Sequence, residues 1–290
     1  MTETTNARAL YEALLDHDGQ RPYQAVVAPW LERAGRAGYR ERIAVAGVHQ
    51  PWWVEEDGQL LLRELYALRR VGDHLLLTDV PGYAALFGAL GMTPFEEGVE
   101  DLEHEEREGD ERFDPFLHEI VEVEQDEDRH APIRLAGVRW PGLMLGGLLF
   151  GRAGVRVRAG AAHAERGVAD RSPLYWTHRR AHRPALDLSH GWGSNSQWRT
   201  DLRLDYRTAD GDLLNVAETG AVDGRPDLHP DHPGNLSPEE RLLTPAERRE
   251  LLRHRCLLRT PEAVAALTAA SPQWDRDLFP YEWRLPADEA

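Results

Sequence analysis

Histidine spacing is the first place in this sequence where chemistry can be read. His178 and His182 stand four residues apart in WTHRRAHRP, so on a helix both imidazoles project from one face. His190, beyond Pro184, can fold back as a third nitrogen ligand. Three neutral imidazoles suit a divalent metal, the one cofactor this segment suggests. Arg171, Arg179, Arg180 and Arg183 raise the electrostatic cost of a cation there, and the glutamate of an HExxH helix is missing. A second metal reading joins His163 and Glu165 to His229 or His232 as a two-histidine, one-carboxylate set for iron(II). The HAE tripeptide has no later P-C-x-x-C partner, which excludes the zinc deaminase pattern.

The stretch GWGSNSQW, Gly191 to Trp198, follows that histidine-rich run. Gly191 and Gly193 permit close backbone approach, Asn195 and Gln197 carry uncharged donors and acceptors, and Trp192 and Trp198 offer flat apolar faces. With Arg199 to fix orientation, the set suits a small polar or anionic ligand that has one hydrophobic surface. The competing reading is an ordered turn whose amides satisfy buried backbone groups while both indoles pack in the core. Ser196, His190 and Asp201 can be assembled into a hydrolytic triad, but no G-x-S-x-G elbow supports it.

Glu119 interrupts the apolar face of FLHEIVEV, where Leu117, Val121 and Val123 alternate with polar neighbours. A carboxylate among such neighbours is a candidate general acid or base, and with His190 and Asp201 it completes the catalytic candidates. An arginine partner or a place at the strand's exposed end would make it structural instead.

Composition removes several reaction classes. The chain has no lysine, so all 34 basic residues are arginine and lysine Schiff-base chemistry is excluded. Cys256 is the single cysteine, which excludes a disulfide framework and a cysteine zinc or iron–sulfur site; beside Leu251 and Leu252 it reads as a packing residue. Neither phosphate-loop pattern occurs. A net charge of −16 opposes nucleic-acid binding, and the arginines of RAGVRVRAG and HRRAHR balance the chain's own acidic stretches or receive an anion. The longest apolar stretch, LMLGGLLF, is far shorter than the roughly 20 residues of a membrane-crossing helix, and the acidic start lacks a signal-peptide pattern. A soluble, cytoplasmic protein is expected. Its function is read as small-ligand binding in the middle region, with acid–base or metal-assisted catalysis as an extension. The rival is an acidic protein-interaction module of inhibitor or immunity type that engages a basic protein partner.

The elements that must position these groups follow from pattern. Asn6 caps a helix with Leu10, Leu14 and Leu15 on one face, and a second helical pattern runs through Val26, Val27, Trp30, Leu31 and Ala34 past Pro29. RIAVAGV and HLLLTDV read as strands flanking a helical LLLRELYALRR, and YAALFGALG as a helix with a glycine stop. FLHEIVEV and VRVR alternate as half-solvated strands, and ADGD turns a hairpin between the Leu202, Leu204, Tyr206 strand and LLNV. Ser237-Pro238, Thr244-Pro245 and Thr260-Pro261 begin C-terminal helices. The expected fold is α+β, helix-rich at both ends around a mainly antiparallel sheet, in one continuous unit over 1–290. Its subdivision would be a helix-rich part (1–95), an acidic loop (96–111) and a strand-rich middle with C-terminal helices (112–290).

Overall fold

The oxygen of the Asn6 side chain accepts from the Ala9 amide at 2.8 Å and starts helix α1, Ala7–Leu15, as its sequence predicts. The computed structural model describes residues 5–95, 112–170, 204–214, 227–229, 231–232, 235, 244, 259–263, 265 and 283–286. Contacts gather these into two units, one of 5–95 with 140–153, the other of 112–139, 154–170 and the described residues from 204 onward.

In the first unit, Ala7, Leu10, Tyr11 and Leu14 of α1 are buried, and α1 packs on α4, Glu56–Thr78. Arg70 of α4 donates to the Tyr11 hydroxyl at 2.8 Å, so a buried guanidinium keeps a partner inside the helical layer. A π-helical turn, Tyr23–Val27, leads into α2, Ala28–Arg36, which places Pro29 in its first turn. Val27, Trp30 and Ala34 are buried at helical spacing.

The two strands expected beside α4 are helical instead. RIAVAGV lies in α3, Tyr39–Ala44, and a following 3-10 turn, Val45–Gly47; HLLLTDV ends α4 and begins α5, Val80–Ala89. The burial explains it. Ile43 and Ala46 are buried three apart while Ala44 and Val45 face out, and Leu75 continues the Leu65, Leu68, Val71 stripe of α4. Asp79 caps α5 by accepting from the Gly82 amide at 3.0 Å, and Gly91, at φ +85°, supplies the expected stop. Strand β1, Thr93–Phe95, pairs antiparallel with β4, Gly142–Leu145, which turns at Gly146 (φ +56°) into antiparallel β5, Leu148–Gly151. A Cβ on Gly146 would stand 2.5 Å from the Gly47 carbonyl oxygen, so this turn and the end of α3 touch through backbone alone.

In the second unit, β2, His118–Gln125, β3, Arg134–Trp140, and β6, Ala153–Ala159, form a sheet in the order β2-β6-β3. Val155 and Val157 are buried, while Arg158 faces out to Glu124 and Asp126 at 3.5 and 3.3 Å, the alternation that VRVR predicts. The hairpin is also as expected: β7, Tyr206–Thr208, pairs antiparallel with β8, Gly211–Leu214, across Ala209 and Asp210. Antiparallel β9, Trp283–Pro286, extends that ladder on β8. Mixed α+β structure, with helices at the N-terminal end and antiparallel strands in the middle, is therefore the fold. Of the expected C-terminal helices, the described part is a helical stretch after Thr260, whose hydroxyl accepts from the Ala263 amide at 3.3 Å. Among the described residues no helix is long and apolar enough to cross a membrane.

Candidate functional site

A cleft of about 810 Å³ opens in the helical unit beside the first turns of α4. Its position follows from one residue. Glu64, on α4, accepts at the same oxygen, Oε1, from the Ala7 amide that begins α1 and from the Tyr39 hydroxyl of α3, the latter at 2.8 Å. One carboxylate thereby ties three helices whose ends border the cleft, and it complements the positive end of α1. Gly38, at φ +63°, starts α3 and delivers Tyr39 inward.

Tyr39 is buried against Trp30, ring centroids 5.0 Å apart and nearly perpendicular, and the Arg42 guanidinium lies over its ring at 4.7 Å from the centroid. Burial first, and then the Glu64 charge, push the Tyr39 phenol well above its ordinary pKa, so it stays a neutral donor to Glu64. Trp30 in turn donates from Nε1 to the carbonyl of Asn6, a residue that lines the cleft, at 3.1 Å.

Trp52, the first residue of the 3-10 turn Trp52–Val54, also lines the cleft. Trp52 meets Trp53 edge to face at 5.5 Å, and Trp53 leans on His49 at 5.8 Å. Gly58 holds this turn against α4: a Cβ there would fall 1.6 Å from the Trp52 carbonyl oxygen, a gap only glycine leaves. Gln59 fastens it further, its Nε2 donating to the Trp53 carbonyl at 2.5 Å. Glu55, Asp57, Val45, Leu60 and Leu61 complete the parts of the lining that carry charge or apolar surface. Among the described residues, the Glu55 and Asp57 carboxylates and Oε2 of Glu64 have no ion-pair or hydrogen-bond partner. Val45 and Leu60 are 46% and 54% exposed at the rim, with Val48 and Val54 also exposed nearby.

Of the described residues singled out from the sequence for chemistry, Glu119, His163, Glu165, His229 and His232, none lines this cleft. His178, His182, His190, Trp192, Asn195, Gln197, Trp198, Arg199 and Asp201 fall outside the described residues. Glu119 is fully buried in β2, not at an exposed strand end. His163, Glu165, His229 and His232 do not assemble the iron set: among the described residues no group of three or more metal-ligating side chains converges. The His163 carbonyl accepts from Arg259 at 2.7 Å and the Glu165 amide donates to the Arg259 carbonyl, so HAE forms a backbone junction. The signal that would have pointed to the cleft is QPWWVEEDG, Gln50 to Gly58: adjacent indoles followed by three carboxylates and a glycine at a helix start.

No family model, no curated protein and no solved structure matches this chain.

Proposed function

We propose that this protein binds a small organic molecule and that the cleft beside the first turns of α4 holds it. The observation that carries this reading is the cleft itself: about 810 Å³, within the range of small-molecule sites, with apolar rim residues and polar groups along the same lining. The walls support it because they are braced independently of any ligand, by Glu64, Gly58 and Gln59. Among the described lining residues are three carboxylates, Glu55, Asp57 and Glu64, and one guanidinium, Arg42, charged groups that can orient a polar ligand.

A thermal-shift screen of a small-molecule library, run in parallel on the native chain and on Val45→Trp, tests the proposal. Val45 is exposed at the rim, so the indole obstructs the cleft without entering the core. A ligand at a hundred times its Kd adds about 2.7 kcal/mol to stability, a shift readily seen. Hits that stabilise the native chain and lose their effect in Val45→Trp are expected. If every hit shifts both proteins equally, the ligand site is elsewhere.

A further inference from the structure

Charge along the cleft is unbalanced in a way that selects its ligand. Among the described lining residues, three carboxylates, Glu55, Asp57 and Glu64, stand against one guanidinium, Arg42, which leaves two negative charges in excess. Arg42 is also held over the Tyr39 ring, so its charge is shared with an aromatic face inside the wall. The excess therefore belongs to the open side of the lining, where Glu55 and Asp57 face solvent and Oε2 of Glu64 has no partner among the described residues.

A metal ion does not answer that excess. Compact cations need oxygen ligands drawn to one point at about 2.0–2.6 Å, and among the described residues no three carboxylates or histidines meet that condition. Carboxylates spread around an apolar hollow instead match a charge on a larger body. The rest of the lining fits such a body: Pro51, Trp52, Leu60, Leu61 and Val45 give it an apolar bed with one indole among them. The Trp52 ring is fixed by its edge-to-face contact with Trp53, so it presents a set surface and needs little ordering when a ligand arrives.

Resting on the cleft being the binding site, we infer that its ligand is an organic cation, an alkyl- or arylammonium compound whose apolar part lies on Trp52 and Leu60 and whose ammonium group is matched by Glu55, Asp57 and Glu64. The acid pair at the mouth, Glu55 and Asp57, attracts the cation, and Glu64 receives it at the inner end. A site of this kind discriminates against carboxylate and phosphate ligands, because each would be placed among like charges.

Isothermal titration of the full chain with 2-phenylethylammonium, 2-phenylethanol and 3-phenylpropionate tests the inference, since the three share a phenyl group and short chain and differ in charge. The ammonium compound is expected to bind at least about tenfold more tightly than the alcohol, with the carboxylate weakest, and the advantage should shrink as salt is raised. Glu55→Gln combined with Asp57→Asn changes two exposed side chains, and is expected to lower ammonium affinity about tenfold with only a small drop in thermal midpoint, from the loss of two charges at the positive end of α4. Equal affinity for all three compounds, or an unchanged ammonium affinity in the double variant, overturns the organic-cation inference. Val45→Trp separates the two claims. If the alcohol or the carboxylate binds best and Val45→Trp abolishes that binding, the cleft stands as the site and the cation assignment falls; if the ammonium compound binds equally well to Val45→Trp, both fall.

Discussion

Two places in this molecule combine the same residue types and reach opposite results. In the second unit, Arg207 donates from Nε and Nη2 to both oxygens of Asp212, at 2.9 and 3.0 Å, and from Nη1 to Asp114 at 2.9 Å. Its guanidinium also lies over the Phe116 ring, 4.4 Å from the centroid. In the first unit, Arg42 lies over Tyr39 beside Glu64, again an arginine, an aromatic ring and a carboxylate. Around Arg207 both donor edges are matched and the Asp212 side chain is 4% exposed, so the cluster fastens β7, β8 and the loop before β2 to one another. Burial works against the Arg207 charge, but the hydrogen bonds to Asp212 and Asp114 outweigh it and hold the guanidinium protonated well beyond its ordinary pKa. Around the cleft, among the described residues, carboxylates outnumber the guanidinium, and Glu55 and Asp57 stand in the open. What distinguishes a fastening from a site is whether donors and acceptors are matched within the fold, not which residues are present.

That distinction can be broken by mutation. Arg207→Met leaves Asp212 buried without its main partner and is expected to cost about 3 kcal/mol, the lower end for a broken buried pair because the Arg207 side chain is 36% exposed. Arg42→Met should cost under about 1 kcal/mol, since it removes a ring contact and a charge beside Tyr39 from an exposed side chain. Urea unfolding of both variants measures the pair, and equal losses would erase the contrast. Next in size is Gly58→Ala, which forces the Trp52 carbonyl away from α4 and is expected to cost about 2 kcal/mol, in the range of overpacked contacts. It should also deform the cleft wall, so thermal melting and ligand affinity ought to fall together. Glu64→Gln keeps an acceptor for Ala7 and Tyr39 but removes its charge, for an expected loss of about 1 kcal/mol in the same unfolding measurement.

The smallest effect is in pH dependence. Because the folded pKa of Tyr39 lies above its unfolded value near 10, the native state holds the phenolic proton more tightly than the unfolded chain does. The stability this contributes is fully present below about pH 10 and is lost as pH rises from there through the folded pKa. Stability of the native chain should therefore fall more steeply above pH 10 than that of Tyr39→Phe, and chemical unfolding at pH 9 and 11 would register the difference. Parallel slopes would remove Tyr39 from the account of how the cleft is braced.

Where pattern and fold agree, the deciding interactions are local. The Asn6 cap, the Gly91 stop, the Val155 and Val157 alternation and the turn at Ala209 and Asp210 each depend on a few adjacent residues and the backbone geometry they favour. Where they part, the reason is distance along the chain. Leu75, Leu76 and Leu77 are three apolar residues in a row, equally suited to a buried strand, and become helical because Leu75 extends the buried stripe set by Leu65 and Leu68.

The candidate cleft belongs to this second kind. Residue identity alone settled the absence of lysine chemistry, the acidic balance and the helical or extended preference of the best-punctuated segments, since these follow from side-chain chemistry and short-range geometry. Only the tertiary structure brought Glu64 under the first amide of α1 and the hydroxyl of Tyr39, residues 57 and 25 positions away. No local preference encodes such a meeting: it arises when the buried faces of α1, α3 and α4 pack together, and the hollow they leave beside Trp52 is a property of that packing.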